Sequence, residues 1–150
     1  MGQSYTCLHH HVIFSTKDRR SLITPDFRQR LYNYIGGIIK GQKGQLLAAG
    51  GTRDHVHLLV RIHSQTAVSN LVREVKANSS KWVHETFPAK FLFAWQAGYS
   101  ALSVSYSNLD QVRAYIQRQE EHHHTASFEE EFIAFLKCHG ITYDERYTWD

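Results

Sequence analysis

The stretch Thr52 to Ile62, TRDHVHLLVRI, decides how this chain is built. Side chains along a β-strand alternate between its two faces. Read as a strand, the stretch sets Val56, Leu58, Val60 and Ile62 in an unbroken apolar row on one face, with His55, His57, Leu59 and Arg61 on the other. The two imidazoles then stand side by side, roughly 6.5–7 Å apart at the backbone from a rise of about 3.3 Å per residue, close enough to reach one metal ion. Two histidines at this spacing also arise by chance in a chain that contains eleven. A third ligand, and something for a metal to act on, would separate a site from a coincidence.

Upstream of the histidines, Gln45 to Ala49 reads as a short strand, and Gly50-Gly51 makes a tight connection, which together argue for an antiparallel hairpin. Further back, Tyr5 to Ser15 (YTCLHHHVIFS) is β-branched and aromatic, with Leu8, Val12 and Phe14 on one parity and His9 and His11 opposite. Those histidines can neighbour His55 and His57 in a sheet or simply pack beside one another. Lys17, Arg19 and Arg20 form a short basic loop. Thr24-Pro25 signals a helix start, and Phe27, Leu31, Tyr34, Ile35 and Ile38 carry helical spacing to about Lys40. Gly36-Gly37 inside it costs roughly 1 kcal/mol per residue against alanine, which suggests a close approach.

Downstream, Val68, Leu71, Val72, Val75, Ser79, Trp82 and Val83 recur at three and four, predicting a second long helix to about Phe87. Its other side holds Arg73, Lys76 and Lys81, with Asn78, Ser79 and Ser80 between them. That is either a solvated face or a ridge for nucleic-acid phosphates. Phe91 to Ser107 reads as a further strand or hairpin bent at Gly98. The order strand, helix, strand, strand, helix, strand predicts an α+β, ferredoxin-like antiparallel sheet with two helices on one face. His55 and His57 would then point to the open face.

A third helix, capped by Asn108 with Gln111 in the capping-box position, carries a narrow stripe of Leu109, Val112 and Ile116 and is expected over that open face. Tyr115 and Gln119 lie four apart and so on one side of it; His122 to His124 follow. Ser127 and Glu130 cap a last helix through Cys138, with Phe128, Phe132, Phe135 and Leu136 inward and Gly140 as its stop. The tail ITYDERYTWD is aromatic enough to be docked. No repeat or composition break divides residues 1–150, which read as a single domain.

Bulk composition agrees. With 42% hydrophobic and 13% aromatic residues, 150 residues suit one domain with a real core. No membrane span or secretion-type leader is evident, and Cys7 and Cys138 fit neither a metal knuckle nor a disulfide framework, so a cytoplasmic protein with no membrane partner is expected. A net charge of +3 permits nucleic acid as partner without requiring it.

The chemistry open to these residues follows. A tyrosine hydroxyl with a pKa of about 10 is ionised to roughly one part in a thousand at pH 7 and is a weak nucleophile unaided. A divalent ion bound by His55, His57 and the Gln119 oxygen can polarise a phosphodiester and neutralise charge in the transition state, and attack by Tyr115 would give a covalent phosphotyrosine. Two neutral nitrogens and one carbonyl oxygen leave open positions suited to Mg²⁺ or Mn²⁺. Zn²⁺ ranks lower, since neither a nearby cysteine nor a clear carboxylate third ligand is evident.

HVHLLV is similar to the HUH motif (histidine, hydrophobic residue, histidine) of single-stranded-DNA nucleases, and YIQRQEEHH resembles the Tyr-x-x-x-Gln helix of single-tyrosine transposases from the smallest insertion sequences. The resemblance extends through HHHVIFSTKDRR, GGTRDHVHLLV, the basic helix ending SSKW, WQAGYSALSVS and GITYDERYTW, in that order. It implies that His55, His57 and Gln119 bind the metal and that Tyr115 is the nucleophile. It also implies an enzyme that binds hairpins near element ends and cleaves and rejoins single-stranded DNA through a 5′-phosphotyrosine. Such enzymes are homodimers in which the tyrosine helix of one chain can complete the histidine site of the other. Arg53, Arg73, Lys76 and Lys81 are the candidate DNA contacts. Gln119 favours the insertion-sequence type over the group linked to repeated extragenic palindromes, which tends to carry Asn there. Two rivals remain: a non-catalytic hairpin-binding module, and a metal-dependent phosphodiesterase that uses water.

Overall fold

The computed structural model of the chain describes residues 2–119, 127–146 and 148. Its strands are β1 (His9–Ser15), β2 (Gln45–Gly51), β3 (His55–Arg61) and β4 (Ser100–Val104), and its helices are α1 (Pro25–Gly41), α2 (Val68–Thr86), α3 (Leu109–Gln117) and α4 (Phe128–Cys138). The four strands form one antiparallel sheet in the order β2-β3-β1-β4. This is the expected ferredoxin-like α+β arrangement, with β3 central and its histidines in the middle of the sheet.

Alternation along β3 does what the pattern predicts on the helix side. Val56, Leu58, Val60 and Ile62 join Val12 and Phe14 of β1 in a core closed by Phe27, Leu31, Ile35 and Ile39 of α1 and by Leu71, Val72, Val75 and Val83 of α2. Buried Ser79 fits this apolar surface because its hydroxyl accepts from Trp95 Nε1 at 2.9 Å and donates to the Lys76 carbonyl at 3.3 Å.

Several boundaries differ from the sequence reading for local reasons. Ladder pairing in β3 begins at His55, because Thr52 to Asp54 form a turn in which the Thr52 amide donates to the His55 carbonyl at 3.2 Å and its hydroxyl to Asp54 Oδ1 at 3.0 Å. Between Phe91 and Ser107 only Ser100–Val104 is strand. Before it, the Lys76 ammonium collects the carbonyls of Gln96, Ala97 and Gly98 at 2.9, 3.3 and 2.5 Å, and the Ser15 amide donates to the Gln96 side chain at 2.7 Å. These side chains add to a single antiparallel bridge between Thr16 and Trp95, in which the Lys17 amide donates to the Ala94 carbonyl and the Gln96 amide to the Ser15 carbonyl, each at 2.9 Å. Helix α3 is entered through a 3-10 turn, Tyr106–Asn108, and Asn108 makes no side-chain cap. Helix α4 is capped as expected, by Glu130 N–H donating to Ser127 Oγ at 3.2 Å, and it stops before Gly140 at φ 67.

The other sheet face carries more than the tyrosine helix. Helix α3 lies on β2 and β3 through Leu109, Val112 and Ile116 against Ala48 and Leu59. Helix α4 covers the rest, with Phe128, Phe132 and Leu136 packed on Ile13 and Leu102, and Tyr143 of the tail beside them. One glycine sets how closely α3 approaches: a Cβ on Gly50 would lie 2.0 Å from the Ile116 carbonyl oxygen.

Candidate functional site

His55 and His57 project from the centre of β3 towards α3 and α4 and are each 0% exposed. They are therefore not partly solvated on an open face; α4 closes over them. Phe128 stacks on the His55 ring at 4.2 Å between centroids, and Phe135 sets its ring against His57, His11 and Tyr115.

Each ring is oriented by its δ nitrogen. Asp54 can only accept, so His55 Nδ1 donates to Asp54 Oδ1, at 2.8 Å, with Thr52 Oγ1 also 3.0 Å from that nitrogen. In the neutral ring this leaves the lone pair on Nε2, which faces Gln119 Oε1 at 3.3 Å and Glu131 Oε1 at 3.8 Å. A carboxylate behind a histidine is the usual way to fix a metal-binding tautomer. His57 Nδ1 lies 2.8 Å from His11 Nε2, and His57 Nε2 donates to Glu131 Oε1 at 2.9 Å. Burial, and next the neighbouring His57, press the His11 imidazole down to about 3. His11 is thus neutral at pH 7, and its Nε2 can donate to His57 or accept from it. Of the N-terminal histidines, His11 is the one that reaches the pair.

Tyr115 and Gln119 come together with the histidines although the helical segment α3 ends at Gln117. Gln119 is buried, and its amide nitrogen donates to the Tyr115 carbonyl at 3.3 Å, which turns its oxygen towards His55. The Tyr115 hydroxyl donates to Glu131 Oε2 in a very short hydrogen bond. Burial foremost, then the hydrogen bond and charge of Glu131, raise this phenol above its ordinary value.

Glu131 is the residue the sequence reading missed. It is one of three consecutive glutamates at the start of α4, but it is buried, whereas Glu129 is solvent-facing and pairs with Arg19 at 2.5 Å and Glu130 is exposed. The helical signal could have found it, since 131 falls between Phe128 and Phe132 on the inward side. Among the described residues, His55, His57 and Glu131 form a group able to hold a metal ion, their ligand atoms all within 4.8 Å of one another. Adding the Gln119 oxygen, the donors are two imidazole nitrogens, an amide oxygen and a carboxylate oxygen. That set fits a divalent cation. With a carboxylate at hand, Zn²⁺ no longer ranks below Mg²⁺ and Mn²⁺ for want of one.

The basic candidates are dispersed. Arg53 is exposed on the turn that also presents Asp54. Arg73 and Lys81 lie on α2, across the sheet from the histidines, with side chains 69% and 72% exposed. Lys76 is turned inward to its three carbonyls, with the Phe14 ring beneath it, and is not presented to a ligand. A cavity of about 420 Å³ opens beside Gln119, lined by Arg28, Tyr32, Gly50, Ile116 and Arg118 among others. His122 to His124 lie outside the described residues. No helix among those residues is long and apolar enough to cross a membrane.

Comparison with known proteins agrees with this fold. The chain is 26% identical over 117 residues to the transposase for insertion sequence element IS200 of Salmonella typhimurium, covering 75% of this chain and 76% of that one. It is 25% identical over 126 residues to the ISDra2 transposase TnpA of Deinococcus radiodurans, covering 80% and 90%. Among solved structures, a candidate transposase from Deinococcus radiodurans R1 matches with a TM-score of 0.62 at 25% identity, covering 79% of this chain and 96% of that one. A REP-associated tyrosine transposase bound to a REP hairpin shares the fold, with a TM-score of 0.55 at 16% identity, covering 77% and 70%. The family described as "Transposase IS200 like" matches residues 4–119, and the chain belongs to that transposase family.

Proposed function

We propose that this transposase binds hairpins at the ends of an insertion sequence and cleaves and rejoins single-stranded DNA, using Tyr115 as nucleophile and a divalent metal held by His55, His57 and Gln119. The observation that carries the reading is the convergence of two side chains from β3, one from α3 and Gln119 just beyond its end, with Gln119 Oε1 3.3 Å from His55 Nε2 and the Tyr115 ring 5.8 Å from the His57 ring. Mg²⁺ or Mn²⁺ bound there would neutralise charge on the phosphate oxygens and draw the phosphorus towards attack.

The chain's own groups supply the rest. Asp54 and His11 hold the two imidazoles in orientation from behind. Gly50 lets α3 lie against the sheet, so that Tyr115 meets the histidines. In the reaction the Tyr115 O–H bond breaks, an Oη–P bond forms, and the P–O3′ bond breaks to leave a 3′-OH and a 5′-phosphotyrosine. The phosphotyrosine keeps the bond energy for rejoining, and no ATP is required. Arg53 is the proposed backbone contact nearest the reacting phosphate, and Arg73 and Lys81 are proposed contacts to a more distant part of the DNA. The proposal includes a homodimer. Ile116 alone of the α3 stripe is fully buried, so the same narrow contact can form on the sheet of a second copy.

The test incubates the protein with end-labelled single-stranded oligonucleotides carrying the hairpins that flank its own gene, with Mg²⁺ or Mn²⁺, resolved on a denaturing gel. A metal-dependent protein-DNA band that is absent in Tyr115→Phe is expected. Cleavage without the band would favour hydrolysis by water, and hairpin binding without cleavage a non-catalytic module.

A further inference from the structure

Residues His55, His57, Tyr115 and Gln119 all fall within the stretch that matches the transposase family, residues 4–119, and Glu131 falls beyond it. Yet the Glu131 carboxylate is buried at the centre of the same site. One oxygen lies 2.9 Å from His57 Nε2 and 3.8 Å from His55 Nε2, and the other accepts from the Tyr115 hydroxyl. We infer that Glu131 is a further metal ligand of this site, its Oε1 joining the two histidine nitrogens around the ion while its Oε2 holds the hydroxyl of the nucleophile. The inference rests on the metal reading above and deepens it.

Three observations converge on this assignment. The first is selection by burial: of three adjacent glutamates, the one that faces the histidines is the one withdrawn from water, while Glu129 is spent on Arg19. That carboxylate already accepts from His57 Nε2 and the Tyr115 hydroxyl, and a divalent ion set between it and the two imidazoles would add positive charge to the same cluster. The second is reach, since the three ligand atoms lie within 4.8 Å of one another before any ion draws them in. The third is support for the helix that carries it. The Ser127 cap, the Phe128 stack on His55 and the apolar contacts of Phe132 and Leu136 with the sheet fix α4 over the site. Two histidines and a carboxylate make a set that also suits Zn²⁺ and Mn²⁺. Helix α4 thereby becomes part of the active site, and the carboxylate ties the position of Tyr115 to the presence of the ion.

Titration calorimetry of the full chain with Mn²⁺ alone, without DNA, tests this. Removing a group that merely hydrogen-bonds a ligand typically weakens metal binding about 10–100-fold, so Glu131→Gln should weaken Mn²⁺ binding by at least about tenfold. The double variant His55→Ala/His57→Ala should not bind it measurably. Unchanged or tighter binding by Glu131→Gln, with the double variant inactive in binding, overturns the Glu131 assignment and leaves the histidine site standing; tighter binding would make the carboxylate a cover rather than a ligand. Wild-type binding by the double variant overturns both. Should Glu131→Gln fail to fold, wild-type protein with ¹³C-labelled glutamate decides: saturating Mg²⁺ should shift the Glu131 carboxyl carbon, and a stationary resonance overturns the inference.

Discussion

The two faces of this sheet are built from the same strands by opposite rules. On the α1–α2 face, the side chains of β3 are aliphatic and meet aliphatic and aromatic neighbours, so β3 itself brings no polar side chain that has to be satisfied there. On the α3–α4 face, one residue out of step, β3 contributes His55 and His57, buried just as deeply but held by Asp54, His11, Gln119 and Glu131. The first face binds by apolar area and tolerates any side chains that fill the space. The second is stabilised only if each polar group keeps its partner, which makes it costly to build and specific in what it can do. Stability and chemistry are thus divided between the faces of one strand.

Neighbouring residues on β3 give the largest test of that division. Leu58→Ala should lower unfolding stability by about 2–5 kcal/mol, the usual cost of a buried cavity, while leaving Tyr115 chemistry in whatever fraction stays folded. His57→Ala should cost less, about 1–3 kcal/mol for the partners it strands, yet eliminate the protein-DNA adduct. Denaturant unfolding in EDTA, run beside the gel assay, compares them. Equal losses of stability would break the contrast between the faces.

Glycines on the two faces sharpen it. Gly50→Ala places a Cβ 2.0 Å from the Ile116 carbonyl, so α3 must move away from the sheet. We expect a cost of about 1–3 kcal/mol, as for other overpacked positions, together with loss of adduct formation. A Cβ at Gly37, in α1 on the opposite face, meets nothing within 4 Å. Gly37→Ala should instead raise stability by about 0.5–1 kcal/mol from helix propensity, with adduct yield unchanged. Thermal melts of the two variants, with the gel assay, check both signs.

Smaller effects lie at the edges. Ser127→Ala removes the hydroxyl that caps α4 and should cost about 1 kcal/mol. Its signature would be faster hydrogen exchange in α4 than in α2. The smallest is a pH effect on the helix face. Burial lowers the Lys76 ammonium to about 8, against an unfolded lysine near 10.4. Between those values the unfolded chain holds a proton that the folded chain has released, so this group makes stability rise with pH. Below about 8 both states are protonated and the contribution is flat. Unfolding midpoints at pH 7.5 and 9.5 should therefore differ more in the wild type than in Lys76→Met.

Much of this was legible in the linear chain. Period-two alternation in HVHLLV and the three-and-four spacing of α1 and α2 predicted the sheet, the helix layer and the apolar rows that join them, because such periodicities follow from local backbone geometry, though Tyr34 of the α1 stripe is exposed. Ser127 was readable as a cap and Gly140 as a stop for the same reason. The Phe91 to Ser107 segment was not, because its backbone is organised by Lys76 and Gln96 side chains rather than by its own alternation. Nor was the inward turn of Lys76, which looks like any other cation on a polar helix face.

By itself the sequence determined the elements, the pairing of His55 with His57 on one side of a strand, and the placing of Tyr115 and Gln119 one helical turn apart. Each of these depends on residues close in sequence, whose relation is set by the repeat of the backbone. Tertiary structure decided the rest: that α4 lies over the histidines, that His11 and Asp54 stand behind them, and that Glu131, not Glu129 or Glu130, enters the site. Glu131 is separated from His57 by 74 residues. Which of three chemically identical side chains meets a distant ring depends on the direction in which a helix docks across the sheet, and no local periodicity encodes that direction.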